Sequence, residues 1–264
     1  MGRLSDVHAR LSCFPDIVRQ VEVLQTELAE VAADSPYATL VKLWCTYGAH
    51  AGRYLPLSLA PILDRSIIEN GIAVGWHSAP PHNIVPEILR DGNDRLLMGR
   101  LIHAAKQYDA PTMWAVDDED VQTMGSLAAW ALATTQFGRE VDLIASVPSS
   151  RGTNALPHRI ARDISFLVGI RHASADTIRF GRAIPQVKGI RDFWARREAV
   201  DGSIDADANT LRGRSVLLVD DICRSGSTLH ESARACYRAG ANRVAALASS
   251  KTWEFQRIPA GRGM

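Results

Sequence analysis

Few features of the usual binding and scaffolding machines are present in this chain. Its four cysteines, Cys13, Cys45, Cys223 and Cys236, are scattered without a C-x-x-C pair. That spacing argues against a zinc knuckle or a disulfide framework and suits isolated buried thiols. No apolar run approaches the ~20 residues needed to cross a bilayer, and MGRLSDVHARLSC has no signal-peptide core; the expectation is a cytoplasmic protein without a membrane partner. Thirty basic and twenty-nine acidic side chains leave a net charge of +1. Nucleic-acid binding is therefore unsupported by global charge, although it stays open through local clusters. The two common nucleotide fingerprints are missing as well: there is no G-x-x-x-x-G-K-[ST], and no G-x-G-x-x-G follows a strand.

What is present begins with composition. Over 264 residues, 46% are hydrophobic, enough for one sizeable packed domain with an appendage. Residues 15–34 carry Ile17, Val21, Leu24, Leu28 and Val31 at helical spacing. The seam is only two heptads long, which favours packing within the chain, while a homodimer stays open. A second helix is expected over 35–47. The Pro- and Gly-punctuated stretch 56–86 reads as loops with one short strand near 72–76 and no evident chemistry. From Leu96 onward, helices are expected at 96–107, 118–135 and 154–168, and strands at 141–147, 177–180, 203–207 and 243–250. This alternation predicts an α/β fold, a mostly parallel sheet flanked by helices, with a mainly helical amino-terminal extension. The expected division is 1–90 for the extension, 91–258 for the α/β domain and 259–264 for a disordered tail.

The most informative stretch is VLLVDDICRSGSTL, residues 216–229. A short bounded aliphatic run suits a strand buried on both faces, and Asp220 and Asp221 then fall at its carboxyl end, where ligands bind in open α/β sheets. Arg224, Ser225, Gly226, Ser227 and Thr228 follow as a turn into a helix that stops near Gly240. Such a turn offers hydroxyls, free N–H groups and a helix dipole to an anion. Thr228 and Glu231 have capping-box spacing. Phosphate beside carboxylates implies a phosphate monoester whose hydroxyls, or bound metal, lie a sugar-length away. A plain structural turn, or the magnesium strand of an ATPase, is the alternative.

Two further segments fit the same site. The loop VPSSRGTNALP places Ser149, Ser150 and Arg151 after the strand at 141–147, suited to an anion or equally to an ordinary surface turn. The segment GRAIPQVKGIRDFWARREAV carries Lys188, Arg191, Arg196 and Arg197 between two strands. Long connections of this kind are often active-site lids, though a solvated helix would account for the arginines too. Trp194, Trp253 and Phe255 could stack on a flat base or serve in packing.

The 216–229 stretch closely resembles the 5-phosphoribosyl-1-diphosphate (PRPP) signature of type I phosphoribosyltransferases. LIHAAKQYDAP at 101–111, VPSSRGTNALPHRIA, the Pro185-Gln186 pair with its trailing arginines and the terminal LASSKT occur in the order found in the ComF-type branch, from Leu96 to Trp253. ComF proteins commonly begin with a cysteine zinc ribbon, which the first 90 residues lack. The resemblance implies that Asp220 and Asp221 hold the ribose hydroxyls and, through PRPP or water, Mg2+, while residues 224–228 bind the 5-phosphate. The loop at 149–151 and the basic segment would hold pyrophosphate, and a nitrogen acceptor would complete a phosphoribosyl transfer. A PRPP-sensing regulator without turnover and an accessory protein of DNA uptake remain the alternative functions. In the hypoxanthine–guanine enzymes an aspartate stands where this chain has Arg224, which cannot act as a general base. Poor use of 6-oxopurines is therefore expected.

Overall fold

The structure, a computed structural model, describes residues 55–56, 67–68, 70–78, 93, 95–106, 118–133, 135–149, 155–183, 190 and 192–252. The helices expected at 15–34 and 35–47, the tail from 259, and Ser150, Arg151, Lys188, Arg191, Trp253 and Phe255 lie outside these residues. In chain order the elements are β1 (Leu55–Pro56), β2 (Asn70–Trp76), α1 (Leu97–Lys106), α2 (Asp118–Ala133), β3 (Leu143–Ser146), α3 (Leu156–Val168), β4 (Arg171–His172) and β5 (Ile178–Phe180). There follow α4 (Phe193–Val200), β6 (Ile204–Ala206), α5 (Ala208–Leu211), β7 (Ser215–Cys223), α6 (Ser227–Arg238) and β8 (Arg243–Lys251).

Six strands form one sheet in the order β1-β2-β8-β7-β3-β4. All neighbours run parallel except β1, which pairs antiparallel with β2. β7 is central because its aliphatic run has two dry faces. Val216 and Leu218 join one core cluster, Leu217 and Val219 the other, and none is more than 1% exposed. Side chains alternate across a strand, so four consecutive apolar residues require cover on both sides. On one side that cover is Met98 and Ile102 of α1, Met124 and Leu132 of α2, and Ile160 and Ile164 of α3. On the other it is Leu229, Ala233 and Cys236 of α6, joined by Ile178 and Ile204.

The strands anticipated at 177–180 and 203–207 are found but belong elsewhere. β5 and β6 pair antiparallel with each other as a separate two-stranded ribbon. Each is three residues long and inserts one fully buried aliphatic, Ile178 or Ile204, toward α6. That is too little to serve as a sheet strand covered on both faces. The basic segment is therefore the connection within a ribbon, and its second half forms α4, capped where Asp192 accepts from the amide of Ala195 at 2.8 Å. Arg234 on α6 pairs with Asp201 at the end of α4, anchoring the ribbon's base.

β2 gives the second difference. The Pro- and Gly-rich stretch yields a seven-residue strand that pairs with β8 from Asn70 opposite Ala245 to Trp76 opposite Lys251. The sheet thus takes in residues upstream of 91, where composition alone placed the start of the α/β unit. β4 was not foreseen; it is two residues long, too short to carry periodicity.

Beside β4, the His158 and His172 rings lie 4.6 Å apart between centroids. Burial, with the neighbouring His158 and Arg162, pushes His172 down to about 4, and burial and Arg162 also lower His158. Because the folded state resists protonating His172, its contribution is complete above the ordinary imidazole value near 6.5 and is lost as pH falls from there toward 4. Thermal unfolding should show Tm declining across that window, and His172→Asn should flatten the decline. An identical pH slope in the variant would assign the acid sensitivity to other groups.

Candidate active site

The strand order reverses between β3 and β7: from β3 the chain proceeds outward to β4 on one side, whereas β7, β8 and β2 lie on the other. In a doubly wound sheet the loops leaving the two strands at such a point diverge and open a crevice at their carboxyl ends. Here those segments are the residues after β3 that include Ser149 and the turn 224–226 after β7; the expected strand end at Val219 is exceeded, because β7 continues through Asp220 and Asp221 to Cys223, paired with β8. Both reach the crevice partly exposed at Ser149, Arg224, Ser225 and Thr228, where a ligand can approach.

The turn after β7 is built by its own backbone. Asp220 Oδ1 accepts from the Asp221 amide at 2.8 Å, and Asp221 Oδ1 accepts from the Ile222 amide at 2.7 Å. Each carboxylate is thereby fixed by the residue after it. Ser225 Oγ lies 3.0 Å from Ser227 Oγ and accepts weakly from the Ser227 amide at 3.4 Å. Gly226 closes the turn at φ 74°, ψ 1° and is itself the N-cap of α6. A side chain at this left-handed position is disfavoured, which accounts for glycine there. The capping box suggested by Thr228 and Glu231 does not form. The helix starts earlier, at Ser227, and no side chain caps it. Glu231 is buried and instead meets Arg238 at 3.0 Å and Arg234 at 3.5 Å. The Ser227 amide turns weakly to Ser225 Oγ, and with no side-chain cap the N–H groups that follow it in the first turn of α6 suit solvent or an anion.

The acidic pair is electrostatically unequal. Burial, reinforced by the charge of Asp221, holds the Asp220 carboxyl well above the ordinary aspartate value. Burial alone would raise Asp221 as well, but the Lys106 ammonium outweighs it and leaves Asp221 below that value. Lys106, the last residue of α1, forms an ion pair with Asp221 Oδ2, and the two side chains are only 13% and 14% exposed. Helix α1 reaches this place because Gly99 lets its first turn lie against the carbonyl of His77, a contact that any Cβ would obstruct.

Sequence reasoning missed this wall of the site, which comes from the ends of β2, α1 and β8. Ser250 Oγ lies 3.4 Å from His77 Nδ1 and from the carbonyl oxygen of Asp221, joining three strand ends. Burial first, then the charges of Lys106, Arg95 and Arg224, keep His77 below its ordinary value against the opposing pull of Asp221. The Lys251 ammonium sits over the Trp76 ring at 4.4 Å, and burial brings it down to about 8. The segments LIHAAKQYDAP and LASSKT drew attention to Lys106, Ser250 and Lys251 without giving them a role, and for His77 the advance signal was its position directly after a strand of the parallel set.

Of the arginines in the basic segment, Arg196 is buried and donates from Nε and Nη2 to the Ile190 carbonyl at 3.1 and 2.6 Å. Its guanidinium fastens the start of the ribbon's second half. Arg197 is partly exposed, and Trp194 is 38% exposed on the same helix. Cys223 and Cys236 are buried thiols pushed up to about 12, as isolated cysteines in a core should be. Among the described residues no group of three or more His, Cys, Asp or Glu could hold a metal ion, and no helix is long and apolar enough to cross a membrane.

The sheet order, the acidic pair in β7 and the uncapped start of α6 define an α/β domain whose candidate site lies where the strand order reverses. Residues 121–251 match the family model of the phosphoribosyl transferase domain. No curated protein matches the chain. Among solved structures, similarity is found to the glutamine PRPP amidotransferase from B. subtilis complexed with ADP and GMP, at 21% identity and a TM-score of 0.35 over 49% of this chain and 26% of that one. A second is described as the allosteric regulatory enzyme of purine biosynthesis, at 24% identity and a TM-score of 0.34 over 49% and 25%. The chain spans about a quarter of the length of these two proteins.

The raised Asp220 yields a test of the site's cost to the fold. A carboxyl that holds its proton more tightly when folded contributes stability below the ordinary value of 3.8, and this is lost as pH rises through the folded value. Asp220→Asn should therefore raise Tm by a few degrees at pH 7.5, with the gain shrinking toward pH 4. A variant less stable than the wild type at pH 7.5 would show that the ionised carboxylate supports the fold.

Proposed function

We propose that this protein is a phosphoribosyltransferase that binds PRPP at the β3/β7 crevice and transfers its 5-phosphoribosyl group to a nitrogen acceptor, releasing pyrophosphate. The observation that carries the reading is the acidic pair near the carboxyl end of a doubly buried strand, which runs on to Cys223 and leads through the turn 224–226 into an uncapped helix N-terminus. Amide N–H groups and hydroxyls of residues 224–228 suit a dianionic 5-phosphate. Asp220 and Asp221, on the strand that leads into this turn, suit the ribose hydroxyls. In this reading Ser149, Ser150 and Arg151, with Lys188, Arg191 and Arg197, serve the diphosphate; Arg196 supports them through its hold on Ile190. A ComF-type placement is favoured by the order of the sequence segments, the first of which delivers Lys106 to Asp221.

The reaction breaks the C1–O bond to the diphosphate as the acceptor nitrogen's lone pair forms the new C1–N bond. Pyrophosphate leaves with the bonding electrons, and the nitrogen then loses a proton. Positive charge develops on the sugar ring in between, and buried carboxylates a short distance away favour it electrostatically. Magnesium, which commonly takes substrate oxygens and water beside one or two carboxylates, would come with the diphosphate and face Asp220 and Asp221 through PRPP or water. When bound, it would offset charge on the leaving diphosphate. Arg224 cannot serve as a proton acceptor, and its cation instead favours phosphate or an acidic acceptor.

Calorimetry with PRPP and Mg2+ tests the site directly. Each charge-assisted hydrogen bond is worth roughly 1.5–3 kcal/mol, so Thr228→Ala should weaken binding about tenfold and Asp221→Asn further. Unchanged affinity in both would remove the assignment. Pyrophosphate release should then be assayed across nucleobases and small amines. Turnover with a nitrogen acceptor and little with hypoxanthine or guanine is the expected pattern; binding without any turnover would make the protein a PRPP sensor.

A further inference from the structure

The ion pair between Lys106 and Asp221 is more than a surface contact. Both partners are largely buried, they come from helix and strand far apart in sequence, and Asp221 is one of the two carboxylates proposed for the ribose diol. Its Oδ1 is occupied by the Ile222 amide and its Oδ2 by the Lys106 ammonium. An ionised carboxylate has about four acceptor positions; with these two donors and the neighbouring Asp220 carboxyl using part of them, room remains for a sugar hydroxyl while the fixed donors set its plane. Asp220 differs: its Oδ1 accepts from the Asp221 amide, and no cation pairs with it among the described residues. Lys106 thus pairs directly with Asp221 and acts on Asp220 only from a distance.

This arrangement bears on an electrostatic difficulty. A ligand with a 5-phosphate approaches a pair of carboxylates, and two buried like-charged groups repel both each other and the incoming anion. A lysine fixed at the end of α1 balances one carboxylate before any ligand arrives. Resting on the PRPP reading above, we propose that Lys106 is the standing counter-cation of the ribose-binding carboxylate, so that a 5-phosphorylated ribose is recognised without a divalent cation at the acidic pair, and magnesium is recruited by the diphosphate alone. Lys106 acts through Asp221 and is a positioning residue. A buried ion pair costs most when one partner is removed and the other is left uncompensated; at this site that cost falls on ligand affinity.

Ribose 5-phosphate, which has the diol and phosphate but no diphosphate, separates the two roles. In calorimetry on the full chain it should bind with the same affinity, within about twofold, in EDTA and in Mg2+, whereas PRPP should bind more tightly with Mg2+. Lys106→Met should weaken ribose 5-phosphate at least about tenfold in EDTA, with Mg2+ restoring part of the loss by replacing the missing charge. Lys106→Arg should stay within about threefold of wild type. If Lys106 works through Asp221, the double variant Lys106→Met/Asp221→Asn should be no weaker than Asp221→Asn alone. Wild-type binding of ribose 5-phosphate that requires Mg2+, an unchanged Lys106→Met, or fully additive losses in the double variant would each overturn the proposal and leave the PRPP site standing. The metal dependence of the wild type decides the matter even if Lys106→Met does not fold. Absence of wild-type binding to both ribose 5-phosphate and PRPP with Mg2+ would remove the PRPP reading and this proposal with it.

Discussion

The double burial of Val216–Val219 is the constraint from which the crevice follows. A strand whose alternate residues must all leave water can only sit inside a sheet that is covered above and below, and here α1, α2 and α3 supply one cover and α6 the other. Once β7 is interior, the residues that follow it emerge at the sheet's carboxyl edge beside those that follow β3. Asp220 and Asp221 are held there by rigid strand geometry, each fixed to the next backbone amide. Polar groups with a raised or lowered charge state are tolerated at this edge because the hydrophobic run behind them stabilises the strand on which they ride.

The elements legible in the sequence were those with a strong period or a sharp boundary. β7 and β8 announced themselves as bounded aliphatic runs, α3 and α6 as apolar stripes ended by Gly169 and Gly240, and the phosphate turn as a dense run of Ser, Gly and Thr. Pairing was harder to read. Nothing local distinguishes Ile178–Phe180 as half of an isolated ribbon, because three residues carry no sign of which partner they choose. β2 was legible only as a short strand, since its glycines and flanking prolines resemble loop chemistry, and its place beside β8 is decided by long-range packing.

The acidic half and the phosphate half of the candidate site shared this legibility because they are contiguous in the chain. The cationic half was not. Lys106 reads locally as an ordinary basic residue in the last turn of an amphipathic helix, a placement the helix dipole favours in any protein. His77 and Ser250 are single residues at strand ends. Only the parallel register of β2, β8 and β7 brings these groups to the carboxylates. Conversely, Arg196 looked like a ligand-binding cation by composition, and its buried bond to Ile190 shows how little charge alone says about direction.

The position of β8 between β2 and β7 has a consequence for how the chain is made. Of the described strands, β8 is the last to leave the ribosome, yet β2, among the earliest, has β8 as its parallel partner. Until Arg243–Lys251 emerges, the edge of β2 that faces the sheet has no ladder to join, and α1 cannot be carried by β2 to its final seat. Parallel pairings that span most of a domain form late, because loop closure precedes the contacts that offset it. From the emergence of β2 until β8 is made, the edge of β2 that faces the sheet is unpaired, a state prone to misassociation. The candidate site is completed in a single closing event, when insertion of one strand brings its basic and acidic walls together.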